Sequence, residues 1–124
     1  MRNVLFIVES PFSARDYKRF GVDVLIQQGF LVHIFDCTPM LNPPLYNKKT
    51  LVKKTKNYSY QTIVHSVKFV EYLKLIGSHV TAIALIKFRL LSYKIFKTLS
   101  RYKIEYSLIS FPPVPAEAIR AKKS

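Results

Sequence analysis

The sequence predicts an α/β domain built on a mostly parallel sheet of four or five strands flanked by helices, and three observations carry that prediction. Runs such as "NVLFIVE" and "HVTAIAL" are apolar almost without interruption, the pattern of strands covered on both faces. Between them lie stretches whose apolar residues recur at helical spacing. No hairpin turn signal joins one strand to the next, so the chain returns through helices. At 124 residues and 49% hydrophobic, with nine Phe and eight Tyr, the chain is the size of one domain and can bury a real core.

Residues 3–9 form the first strand and run into "SPFSARDY", where Ser13 stands as a helix N-cap with Asp16 three residues on. Tyr17, Phe20, Val24 and Gln28 mark one helix, with the first three toward the core; Gly29 ends it and Phe30 follows as its apolar contact. Residues 30–38 (FLVHIFDCT) are a second strand, completing a strand–helix–strand unit. Residues 39–60 hold three prolines and five lysines and read as an irregular excursion, either a solvated loop or a surface for phosphate or lipid headgroups. A short strand is expected at 61–65, although these residues could equally open the next helix. Residues 66–76 are helical, with Phe69, Val70, Leu73 and Ile76 on one side and Lys68, Glu71 and Lys74 on the other, and Gly77 caps them. A strand at 79–85, a helix at 88–102 and a strand at 104–110 follow. The domain therefore covers 1–111. Residues 112–124 start like a new helix, with Pro115 in its first turn, and look like a truncated segment or a tail.

Twenty Lys and Arg against seven acidic residues give a formal charge of +13, which admits phosphate-bearing ligands, nucleic acid or anionic membrane as partners. Nucleic acid ranks lowest, because no RNP motif, helix-turn-helix signature or zinc finger is present. Cys37 reads as a buried hydrophobe in a reducing compartment. His33, His65 and His79 are scattered, so no metal site is expected. The apolar run after Arg2 is too short for a signal peptide, and no stretch approaches the ~18 apolar residues that span a bilayer. A cytoplasmic protein is expected.

Open α/β sheets bind ligands beyond the carboxyl ends of their strands. Those ends carry Glu9-Ser10, Asp36-Thr38, Lys87-Arg89 and Ser110-Phe111. The first turn has no glycine before Gly21, so the close backbone approach of a dinucleotide pyrophosphate is not provided. Ser10, Ser13 and Arg15 offer instead hydroxyls and a planar cation, suited to a sugar or to a phosphate held by side chains. The turn also has a simpler account, with Ser13 only capping its helix. Glu9 and Asp36 end neighbouring strands and could meet across the crevice as a general base requires, or serve as structural acids paired with Arg15 or Arg2. On the 88–102 helix, Lys87, Lys94, Lys97 and Arg101 fall within an arc of about 80° beside an apolar face of Phe88, Leu91, Ile95 and Leu99. With Lys48, Lys49, Lys53 and Lys54 they form either an ordinary solvated face or a cationic patch for anionic lipid.

The stretch "VLFIVESPFSARDYKRFGVDVLIQQGFLVHIFDCTP" resembles the start of GT-B-type glycosyltransferases of bacterial capsule and surface-polysaccharide synthesis, in its "ESPFSARDYKRFG" turn and helix and its strand ending in "DCTP". Weaker likeness continues through "LIKFRLLSYKIFKTLSRYKIEYSLIS". The resemblance implies a Rossmann-like half of a two-domain enzyme, the half that receives a sugar or lipid-linked sugar acceptor at the inner face of the membrane. The donor-binding C-terminal domain would come from elsewhere, so the chain alone is expected to be inactive. It also implies transfer at an anomeric carbon assisted by a carboxylate base, with Glu9 and Asp16 as candidates. Ser10, Ser13, Arg15, Asp36, Thr38 and Ser110 would lie about the acceptor, and no cofactor is expected beyond, at most, a divalent ion with the donor. The alternative is a non-enzymatic basic α/β module that docks on anionic membrane or on a partner protein.

Overall fold

The computed structural model describes residues 2–46, 58–77 and 79–109. Five strands, β1 (Asn3–Val8), β2 (Leu31–Asp36), β3 (Tyr58–Thr62), β4 (Val80–Leu85) and β5 (Glu105–Leu108), form one sheet in the order β3-β2-β1-β4-β5. Every neighbouring pair is parallel. The helices are α1 (Ala14–Arg19), α2 (Val22–Gln27), α3 (Thr38–Leu41), α4 (Ser66–Ile76) and α5 (Tyr93–Arg101). This is a Rossmann-like α/β arrangement, as the apolar runs predict.

The two faces of β1 explain why its sequence has no polar alternation. Val4, Phe6 and Val8 point into one core with Phe12, Val22, Val32 and Ile34. Leu5 and Ile7 point into the other, with Phe35, Phe69, Leu73, Ala82, Ala84, Ile95 and Leu99. Burying a side chain such as Phe6 or Phe35 contributes about 2–3 kcal/mol, so β1 anchors both layers.

Two helices differ from expectation. The single helix read across Tyr17 to Gln28 is broken into α1 and α2, because Gly21 adopts φ +69, a left-handed conformation that stops one helix and starts the next. The break shifts the helical phase. Val22 becomes fully buried, while Val24, expected toward the core, is 53% exposed. Phe20 keeps its expected place, with its ring 6.3 Å from that of Phe6 and 6.1 Å from that of Phe12. Likewise the helix expected over 88–102 begins late, after a short 3-10 turn at Leu90–Ser92. The buried Ser92 hydroxyl sets that start: it accepts from Arg89 N–H at 2.9 Å and donates to the Lys87 carbonyl at 2.7 Å. Ile95 and Leu99 are buried as expected, but Phe88 and Leu91 are turned out to solvent.

The third strand lies three residues earlier than the 61–65 expected, because Tyr58 and Tyr60 alternate onto the layer of Phe6 and Ile34 and pair in register with β2. The stretch read as an irregular excursion at 39–60 has regular structure at both ends: α3 (Thr38–Leu41) runs into its start, followed by a 3-10 turn at Pro43–Leu45, and residues 58–60 belong to β3. The 66–76 helix stands as read, with Phe69 and Leu73 buried and Lys68 bonding Glu71 at 3.2 Å on the outer side. Lys48, Lys49, Lys53, Lys54, Ser110 and the helix start expected at Pro115 lie outside the described residues.

Candidate functional site

The order of the strands selects one place on the sheet. From β1 the chain builds outward to β2 and β3, then returns to the opposite side of β1 for β4 and β5. Beyond the carboxyl ends of β1 and β4 the connections part in opposite directions and leave a crevice. There a cleft of about 470 Å3 is lined by Glu9, Ser10, Asp16, Arg19 and Lys87, with Phe20, Leu45, Leu85 and Ile109 among its apolar walls.

The turn entering α1 uses its own polar groups. Ser13 N–H donates to Asp16 Oδ2 at 3.0 Å, and Asp16 N–H donates to Ser13 Oγ at 3.3 Å, a reciprocal capping box. Phe12 is buried, and its N–H donates to the Tyr60 hydroxyl at 3.3 Å. Three backbone donors of this turn, those of Phe12, Ser13 and Asp16, are thus engaged by side chains and do not point at a ligand.

Glu9 and Asp36 are not brought together. Glu9 Oε2 accepts from Arg89 Nη2 at 3.1 Å, and the same nitrogen donates to the Leu41 carbonyl at 2.8 Å. Arg89, rather than Arg15 or Arg2, is therefore the partner that ties the end of β1 to α3 and to the turn after β4. Asp36 is buried and does not line the cleft. Its Oδ1 accepts from the Thr38 N–H at 3.0 Å and from the Thr38 hydroxyl, and its Oδ2 accepts from Tyr60 at 2.5 Å. Asp36 and Thr38 are thus joined in a closed buried network, as a structural acid and its partner would be. Burial, then the bond and charge of Asp36, hold the Tyr60 phenol far above its usual value. Cys37 is fully buried, and burial likewise pushes its thiol up, with the charges of Asp36 and Glu9 adding to it.

Of the residues singled out from sequence, Glu9, Ser10, Asp16 and Lys87 meet at the cleft. Ser13 is exposed and engaged in the cap, and Arg15 is exposed without lining the cleft. Lys94, Lys97 and Arg101 stand exposed along α5, while Lys87 precedes that helix rather than extending its basic arc. Sequence reasoning missed Arg19 and Leu45, and it placed Arg89 at a strand end without its pairing to Glu9. Arg19 was accessible to it, because Asp16, Arg19 and Phe20 are three and four apart and share a helix face. The Arg89–Glu9 pairing was not, because the two are 80 residues apart.

The cleft joins two cations, two carboxylates and a hydroxyl over apolar walls. Arg19 and Lys87 suit a phosphate or carboxylate, Glu9 and Ser10 suit hydroxyl groups, and Phe20 and Ile109 suit the C–H face of a ring. Among the described residues no group of three His, Cys, Asp or Glu could hold a metal ion, and no helix is long and apolar enough to cross a membrane. No family model, curated protein or solved structure matches the chain.

Proposed function

We propose that this chain is the acceptor-side domain of a glycosyltransferase-like protein of surface-polysaccharide synthesis, working on the cytoplasmic side of the membrane. Its cleft takes a phosphorylated or lipid-linked sugar, and a donor-binding domain or partner chain supplies the nucleotide-sugar. The observation that carries the reading is the cleft beyond β1 and β4, with cations at Arg19 and Lys87 and hydroxyl-binding groups at Glu9, Ser10 and Asp16, beside a turn in which the Phe12, Ser13 and Asp16 N–H groups are engaged by side chains.

Glu9 is the better base of the two candidates. Each has one oxygen engaged, Asp16 Oδ2 by Ser13 and Glu9 Oε2 by Arg89. Protonating Asp16 would weaken the cap that starts α1, whereas Glu9 is oriented at the cleft wall by a pair that no helix start depends on. In the complete enzyme an acceptor hydroxyl would attack the donor's anomeric carbon as its proton passes to Glu9. The glycosidic C–O bond forms as the bond to the nucleoside diphosphate breaks, and the diphosphate departs with that electron pair.

Calorimetric titration with glucose 1-phosphate and with uridine diphosphate glucose tests the reading. Glucose 1-phosphate should bind the more tightly, and Arg19→Gln and Lys87→Gln should each weaken it by about fivefold to tenfold. Tighter binding of the nucleotide-sugar would refute an acceptor-side site, as would variants that bind like wild type.

A further inference from the structure

The connection between β4 and α5 carries Leu90, 92% exposed, with Phe88, Leu91 and Tyr93 exposed beside it. Four exposed large apolar side chains within six residues are not an incidental scatter of surface hydrophobes. The turn that presents them is held firmly from beneath. Ser92 is fully buried and bonded to the Lys87 carbonyl, Arg89 is clamped to Glu9 and Leu41, and the Phe88 ring lies 5.0 Å from that of the buried Phe96. The fold thus displays these side chains on a fixed scaffold.

Between the turn and the end of α5 the charged residues are all basic. No acidic residue occurs between Glu71 and Glu105; of the acids across the cleft from Lys87, Glu9 is paired with Arg89 and Asp16 is bonded within the α1 cap. Lys87, Lys94, Lys97 and Arg101 are all exposed, and Lys97 Nζ lies 6.0 Å from the centre of the Tyr93 ring. An apolar tip ringed by cations matches a bilayer interface, where leucine and phenylalanine enter the acyl boundary and lysines reach lipid phosphates. Nucleic acid would use the cations but gain nothing from protruding leucines.

We propose that the 88–93 turn and the basic face of α5 dock this protein on an anionic lipid bilayer, with Phe88, Leu90 and Leu91 entering the headgroup layer. This surface stands whatever the cleft binds. Since Lys87 borders both, docking would set the mouth of the cleft beside the membrane.

The test is flotation with phosphatidylcholine vesicles, with and without phosphatidylglycerol, using the whole chain and no sugar. Binding should require phosphatidylglycerol and fall with salt. Lys94→Gln and Lys97→Gln should each lower partitioning about fivefold. Leu90→Ser combined with Leu91→Ser should lower it about tenfold while the thermal midpoint stays unchanged, because both side chains are exposed and neither is among the contacts that hold the turn. Equal binding to neutral and anionic vesicles, or serine variants that bind like wild type, would overturn the proposal. So would displacement by duplex DNA below the salt concentration that releases lipid, or a dimer in sedimentation that Leu90→Ser dissolves.

Discussion

His33 illustrates how a single side chain can be tied into three strands. Its Nδ1 lies 2.7 Å from Ser59 Oγ on β3 and its Nε2 lies 2.9 Å from Asn3 Oδ1 on β1, so the neutral ring donates from Nε2 and accepts at Nδ1. Burial lowers its pKa below the ordinary 6.5. The sign of the consequence follows. Above about pH 6.5 the ring is neutral in both folded and unfolded chains and its contribution is complete. As pH falls below that value the unfolded chain takes up the proton first, and stability is lost until the folded ring titrates as well. Urea midpoints should therefore drop from pH 7.5 to pH 5.5, and drop less in His33→Gln; equal drops would show that the ring does not contribute. The histidine was visible in the sequence, but its partners were not, since Ser59 is 26 residues away and Asn3 is 30. Asp36 is similar: its strand-end position suggested the crevice, and only the register of β3 reveals Tyr60 as the group that encloses it.

At the scale of elements, local punctuation decided more than periodicity. The Ser13–Asp16 cap and the apolar side of α4 could be read directly, because each depends on residues three or four apart. Gly21 was legible as a residue but not as a break, since a glycine within a helical pattern is compatible with either outcome. Its φ of +69, with nothing near the position a Cβ would occupy, makes the requirement conformational rather than steric. Gly21→Ala should destabilise the fold by about 1–2 kcal/mol and Gly21→Asn by clearly less, measured by chemical denaturation. Equal stability for alanine would mean that α1 and α2 can be joined without strain. The delayed start of α5 was hidden for a different reason. It depends on one buried hydroxyl, Ser92, answering two backbone groups, and helical phasing alone assigned Phe88 and Leu91 to the core.

For the whole molecule, the parallel sheet was legible because β1 and β4 must be covered on both faces, and only helices on both sides can do that. The strand order was not, and with it the location of the cleft: Glu9 and Lys87 are neighbours only because β4 lies beside β1. The central claim is that this cleft holds the sugar-phosphate end of an acceptor. It is tested most directly by following backbone amide shifts of the labelled protein as glucose 1-phosphate is added. Saturating shifts confined to Glu9, Ser10, Arg19, Phe20, Lys87 and their neighbours are predicted. Shifts centred on the amino ends of β4 and β5, around His79 and Lys103, or none at millimolar ligand, would contradict it.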